Sequence, residues 1–114
     1  MTDKPSIPHL LFVCTANRHR SRTAEDLYRL DPRYEVMSAG TDVDWGDPSE
    51  RPVTEELVAW ADQIFVMAHY HREVLTARFP GCERKITVLD IPDVFLRGDP
   101  ELIALLHKRL IEHL

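Results

Sequence analysis

Hydrophobic and polar positions along this chain fall in blocks. Leu10-Leu11-Phe12-Val13-Cys14 is an unbroken apolar run, the pattern of a strand covered on both faces in a parallel sheet; a strand with one wet face would alternate. The polar stretch Thr15 to Arg22 follows as a loop. Thr23 to Leu30 then offers good helix formers, with Ala24, Leu27 and Tyr28 or Leu30 on one face, until Asp31-Pro32 ends the helix. Tyr34 to Met37 reads as a short strand closed by Ser38-Ala39-Gly40, where glycine permits backbone conformations that other residues resist.

Thr41 to Pro52 is rich in Gly, Pro and Asp and contains Trp45, the composition of a candidate binding loop. Pro52 to Ala61 suits a helix with acids in its first turn, and Gln63 to Met67 reads as a third, buried strand. A helix is predicted over Tyr70–Phe79, stopped by Pro80-Gly81, and a fourth strand over Ile86–Leu89. Asp99-Pro100 is a cap followed by a first-turn proline, opening a last helix whose apolar stripe is Leu102, Ile103, Leu106 and Leu110. Strands alternating with helices imply an α/β fold: an open parallel sheet of about four strands with helices on both faces.

The 114 residues are read as one domain, 1–114, with 1–7 a flexible lead. A formal net charge of −5 has the wrong sign for a nucleic-acid or anionic-membrane partner. The acidity is concentrated over residues 42–62, whereas Arg18, Arg20 and Arg22 crowd with His19 into a local cationic spot. Only Cys14 and Cys82 are present, the opening residues lack the layout of a secretory signal, and no apolar run approaches the roughly 18 residues of a spanning helix. The expectation is a cytoplasmic protein with both thiols free.

Ligands of open parallel sheets bind beyond the carboxyl ends of the strands, here the loops after Cys14, Ser38, Met67 and Asp90. In Cys14-Thr15-Ala16-Asn17-Arg18-His19-Arg20-Ser21 a thiol ends a strand, five loop residues follow, and an Arg and a Ser open a helix. Loop N–H groups and a helix N-terminus can converge on an oxyanion, and Arg20 offers a planar two-toothed donor matched to phosphate. The same field favours thiolate, and cysteines in such settings have pKa values lowered from about 8.5 to roughly 3.5–7.5. Asn17 can take a left-handed turn conformation, and Ser21 can donate to the sulfur. The spacing alone proves little; the strand before and helix after raise the functional reading to no more than an equal of the buried strand cysteine.

The segment Leu11 to Ser21 resembles the signature of the low-molecular-weight protein tyrosine phosphatases, Cys, five residues, Arg, Ser. Met37-Ser38-Ala39-Gly40-Thr41, Ala61 to Met67 and Ile91-Pro92-Asp93 resemble further family motifs in the same order. The resemblance implies a phosphomonoester hydrolase of tyrosine-phosphatase type acting on a phosphorylated protein or small aryl phosphate, with no metal and no cofactor. It implies Cys14 as nucleophile, Arg20 with the loop Thr15, Ala16, Asn17, Arg18, His19 and Ser21 as phosphate cradle, and Asp93 as general acid. Asn17, Ser21 and Ser38 would support the loop, and Trp45 would pack on the substrate's ring.

The chain departs from the family's pattern at Ala16, where Gly is usual, at His19, where many members have a second Cys, and at Val94, where Pro follows the acid. Between Trp45 and Ala61 it lacks a helix-and-loop piece. Two alternatives stay open: a relative that binds phosphate or a phosphoprotein without turnover, and a thiol-coupled arsenate reductase, for which Cys82 is the one other thiol. Asp90 is the rival acid. His69 and His71, two residues apart, do not share a helix face and read as a solvated or hydrogen-bonded pair. Met37 and Met67 read as core and Cys82 as an exposed or half-exposed spare thiol.

Overall fold

The computed structural model describes residues 7–114; of the lead expected over 1–7, residues 1–6 lie outside that range. Four parallel strands, β1 (His9–Cys14), β2 (Glu35–Gly40), β3 (Gln63–Val66) and β4 (Ile86–Val88), stand in the order β2-β1-β3-β4. The helices are α1 (Arg20–Tyr28), α2 (Glu55–Trp60), α3 (His69–Arg78) and α4 (Pro100–Leu110). The central strand explains the apolar block. Leu10, Phe12 and Cys14 face the cluster beneath α1 and α4, where Phe12 stacks on Phe65 and Tyr28, while Leu11 and Val13 face α2 and α3. With both faces covered, every side chain of the run is buried, and each such Leu or Phe contributes roughly 1.5–3 kcal/mol.

Several element boundaries differ from the sequence reading. Helix α1 begins at Arg20, three residues before Thr23, because Arg20 and Ser21 bury their polar atoms against the loop and Ile91; it ends before Leu30, which is exposed. Strand β2 runs on through Ser38 and Ala39, with Gly40 paired to Cys14. Gly40 serves close approach, not unusual torsion: a Cβ there would meet the Thr15 carbonyl oxygen at 2.5 Å and the Asn17 nitrogen at 2.9 Å. Pro52 is not helical; it bridges to Gly40, and α2 starts at Glu55 behind Thr54, whose hydroxyl accepts from the Leu57 N–H at 3.2 Å. Cys82 is buried, not exposed, because the Pro80-Gly81 turn and a short 3-10 helix (Glu83–Lys85) fold it under α3, with Sγ 3.6 Å from the Leu75 carbonyl. Asp99 caps α4 by accepting from Glu101 N–H at 2.9 Å; Met67 lies in the cluster beneath α1 and α4, and Met37 is half-buried against the cluster on the other face of the sheet. No helix among the described residues is long and apolar enough to cross a membrane.

Candidate active site

Residues 14–20 wrap from the end of β1 to the start of α1. The turn is made by Asn17, a non-glycine residue at φ 56°, while Ala16 has no positive φ. The extra conformational freedom of glycine is therefore not needed at position 16. Among the described residues no side chain caps the N-terminus of α1, where the first N–H groups of a helix can face an anion.

Behind the loop a buried network fixes directions. The Arg51 N–H donates to Asn17 Oδ1 at 2.9 Å, which orients the amide and turns Nδ2 toward the Ser21 and Ser38 hydroxyls at 2.9 and 3.0 Å. Each hydroxyl accepts there; Ser38 in turn donates to Glu25 at 2.6 Å, and the Ser21 oxygen lies 2.9 Å from the Cys14 sulfur. The sulfur is thus in contact with a hydroxyl that can donate to it once the thiol proton is gone.

Arg20 is 4% exposed, and its Nη1 donates to the Ile91 carbonyl at 2.9 Å, so the loop after β4 sets the guanidinium plane. That loop also brings Asp93, whose carboxylate is 3.6 Å from Arg20 Nε and mostly open to solvent. A cleft of about 250 Å³ over the sulfur is lined by Cys14, Thr15, Ala16, Arg18, His19, Arg20 and Asp93. A neighbouring depression of about 580 Å³ shares Thr15, Arg20 and Asp93 with it and adds Tyr70, His71 and Asp90 among its walls. Asp90, at φ 58°, is exposed and lines only the second. Trp45 is 83% exposed and belongs to a separate depression with Thr41, Pro52 and Arg78.

The cationic spot is largely partnered. Arg18 pairs with Glu50, a buried carboxylate that also accepts from Asp44 N–H at 2.7 Å; the pairing raises the arginine's pKa, through its hydrogen bond and then its charge. Arg22 donates to the Asn17 carbonyl at 3.1 Å and lies 3.7 Å from Glu25. Glu50, Arg51, Glu25 and His71 are the site residues that sequence reasoning missed. The acids and Arg51 looked like ordinary surface charge, and the single hint was an acidic stretch in a chain whose loop needed partners.

His69 and His71 separate completely. His69 is exposed, whereas His71 is 1% exposed, with its Nε2 2.9 Å from Thr15 Oγ1 and its Nδ1 3.0 Å from the Ala68 N–H. Burial, then the Arg20 charge, pushes its pKa down to about 4 against opposing pulls from Asp42 and Asp93. Asp42 is held below the usual carboxylate range by the Thr41 hydroxyl and then by Tyr70, which donates to it at 3.0 Å. Among the described residues no group of three His, Cys, Asp or Glu side chains is placed to hold a metal.

An anion cradle facing a cysteine sulfur, with a carboxylate at its mouth, suits attack on phosphorus followed by proton donation to a leaving group. No family model matches the chain. It is 27% identical over 106 residues to a protein-arginine-phosphatase of Bacillus subtilis strain 168, a match covering 70% of this chain and 69% of the relative. The YwlE arginine phosphatase from Geobacillus stearothermophilus superposes with a TM-score of 0.72 at 26% identity, covering 94% of this chain and 97% of that one. A low-molecular-weight protein tyrosine phosphatase from T. tengcongensis does so with a TM-score of 0.70 at 26% identity, covering 94% and 99%.

Proposed function

We propose, from the premise that the chain is a shortened low-molecular-weight phosphatase-like hydrolase, that it cleaves phosphate monoesters of proteins or aryl compounds through a phosphorylated Cys14. The sulfur attacks phosphorus, forming an S–P bond as the P–O bond to the leaving group breaks, and Asp93 delivers its proton to the departing oxygen. The resulting Asp93 carboxylate takes a proton from water, whose oxygen displaces sulfur and releases inorganic phosphate and the thiolate. Arg20, tethered at one end to Ile91, turns its remaining N–H groups with those of the loop to the equatorial oxygens. The observation carrying this reading is the buried chain of hydrogen bonds Arg51, Asn17, Ser21, Cys14, which holds a hydroxyl 2.9 Å from the sulfur, where it can donate to the thiolate. Its test is hydrolysis of a generic aryl phosphate by the wild type and Cys14→Ser; activity retained by the variant rejects the mechanism, and no turnover alongside phosphate binding favours a non-catalytic binder.

The leaving group divides two readings. Phosphotyrosine follows from the likeness to tyrosine phosphatases, with Trp45 an outer contact for the surrounding polypeptide. Phosphoarginine, suggested by the name of the Bacillus relative, is a phosphoramidate, so the P–N bond would break and Asp93 would protonate the departing nitrogen; it gains support from Asp90 and Asp93 beside the cleft, two carboxylates suited to a cationic guanidine. Turnover of matched phosphotyrosine and phosphoarginine peptides separates them. Arsenate reduction by thiol relay is disfavoured: Cys82 is buried in the cluster on the opposite face of the sheet from Cys14, where burial and then Glu83 raise its thiol pKa. Two free cysteines and an acidic surface fit a cytoplasmic protein without a nucleic-acid partner.

A further inference from the structure

His71 lies outside every motif that the sequence singled out for chemistry, yet its ring joins α3 to the first residue of the phosphate loop. Its hydrogen bonds settle the tautomer. The Ala68 N–H can only donate, so Nδ1 is the bare, accepting nitrogen and the ring proton sits on Nε2. Nε2–H therefore donates to Thr15 Oγ1, 2.9 Å away. A hydroxyl that accepts from the ring keeps its own proton to give, and among the described residues no other atom takes it. Thr15 lines both the cleft over the sulfur and the adjoining depression. Its proton is thus left for a ligand bound in the space that Thr15 borders.

We propose that His71 is a positioning residue: as the Nε2–H tautomer it orients the Thr15 hydroxyl as an extra side-chain donor to the bound phosphoryl group, supplementing the loop N–H groups and Arg20. This rests on the phosphatase reading for its part in turnover, but the coupling itself is readable in phosphate binding alone. The 1% exposure of His71 keeps water from competing for the ring, and its second bond, to the N-terminus of α3, locks the ring plane. The helix is thereby a rigid support for one hydroxyl.

The test is a double-mutant cycle on the full chain, with inorganic phosphate affinity by calorimetry as the readout and kcat and KM on an aryl phosphate measured alongside. His71→Asn keeps an acceptor near the Nδ1 position for Ala68 but does not reach Thr15, whereas His71→Gln reaches it. Expected are a roughly tenfold weaker phosphate affinity for His71→Asn, the loss of about one hydrogen bond to a charged group, with a melting temperature near that of wild type, and recovery to within about threefold in His71→Gln. In a Thr15→Val background, His71→Asn should change affinity by less than about twofold, while in a Thr15→Ser background, which keeps the hydroxyl, the loss caused by His71→Asn should return. Additive losses in the two backgrounds, or equal losses for Asn and Gln in folded protein, overturn the proposal. Intact coupling without turnover would instead leave it standing and remove the hydrolase reading.

Discussion

The Asn17 amide nitrogen lies 2.9 Å from the Ser21 hydroxyl oxygen, which itself lies 2.9 Å from the Cys14 sulfur, in reach to donate to the thiolate. Ser21→Ala should therefore slow alkylation of Cys14 at neutral pH by about tenfold, the worth of one hydrogen bond to a charged group. Asn17→Gly should unfold later than Asn17→Ala, because φ 56° costs alanine roughly 1–2 kcal/mol, yet both should alkylate slowly. Unchanged alkylation in Ser21→Ala would show that the hydroxyl points elsewhere.

Asp93 and Asp90 are separable by leaving group. Only Asp93 lines the cleft over the sulfur and sits beside Arg20. Asp93→Asn should lower kcat/KM on a poor leaving group by about 10²–10⁴-fold and by much less on an activated aryl phosphate whose departure needs no protonation. Asp90→Asn, which tolerates the left-handed backbone, should stay within a few-fold of wild type. The reverse pattern would move the acid to Asp90.

Gly40 is the point where β2 touches the loop. Both nearest atoms to an added Cβ are backbone, so Gly40→Ala should destabilise the fold by about 1–3 kcal/mol and weaken phosphate binding. Calorimetric melting together with phosphate titration checks this; a variant as stable and as tight as wild type would mean that the strand and loop part easily.

His71 makes stability depend on pH. Its folded pKa of about 4 lies below the ordinary 6.5, so between those values the unfolded chain holds more protons and acidification favours unfolding. The loss should accumulate to about 3 kcal/mol as pH falls through that window and stop below it, with full stability above the upper value. Urea unfolding at stepped pH should show this slope in wild type and its disappearance in His71→Asn; equal slopes would contradict it.

The sheet was legible because its inner strands β1 and β3 are buried on both faces and so appear as apolar blocks, and Asp99-Pro100 announced α4 through local capping chemistry. The first turn of α1 was not, because Arg20 and Ser21 look like loop until their partners at Ile91 and Cys14 are known. Cys14 and Arg20 were readable as a pattern of residue types, whereas Asp93 was reached only through the resemblance of Ile91-Pro92-Asp93 to a family motif. Glu50 and His71 were not, since their importance lies in long-range partners, Arg18 and Thr15, that no local spacing encodes. Cys82 misled for the converse reason: a charged, turn-rich neighbourhood hid a thiol folded beneath α3.

The central claim is that phosphate passes through the Cys14 sulfur. It is tested most directly by acid-quenching Asp93→Asn during turnover of an activated aryl phosphate, where attack proceeds but water activation is impaired, and mapping the protein by mass spectrometry. The account predicts a phosphoryl group accumulating on the peptide that carries Cys14, and none in Cys14→Ala, which is inactive. Steady turnover with no phosphorylated Cys14, or hydrolysis by Cys14→Ala, would contradict it.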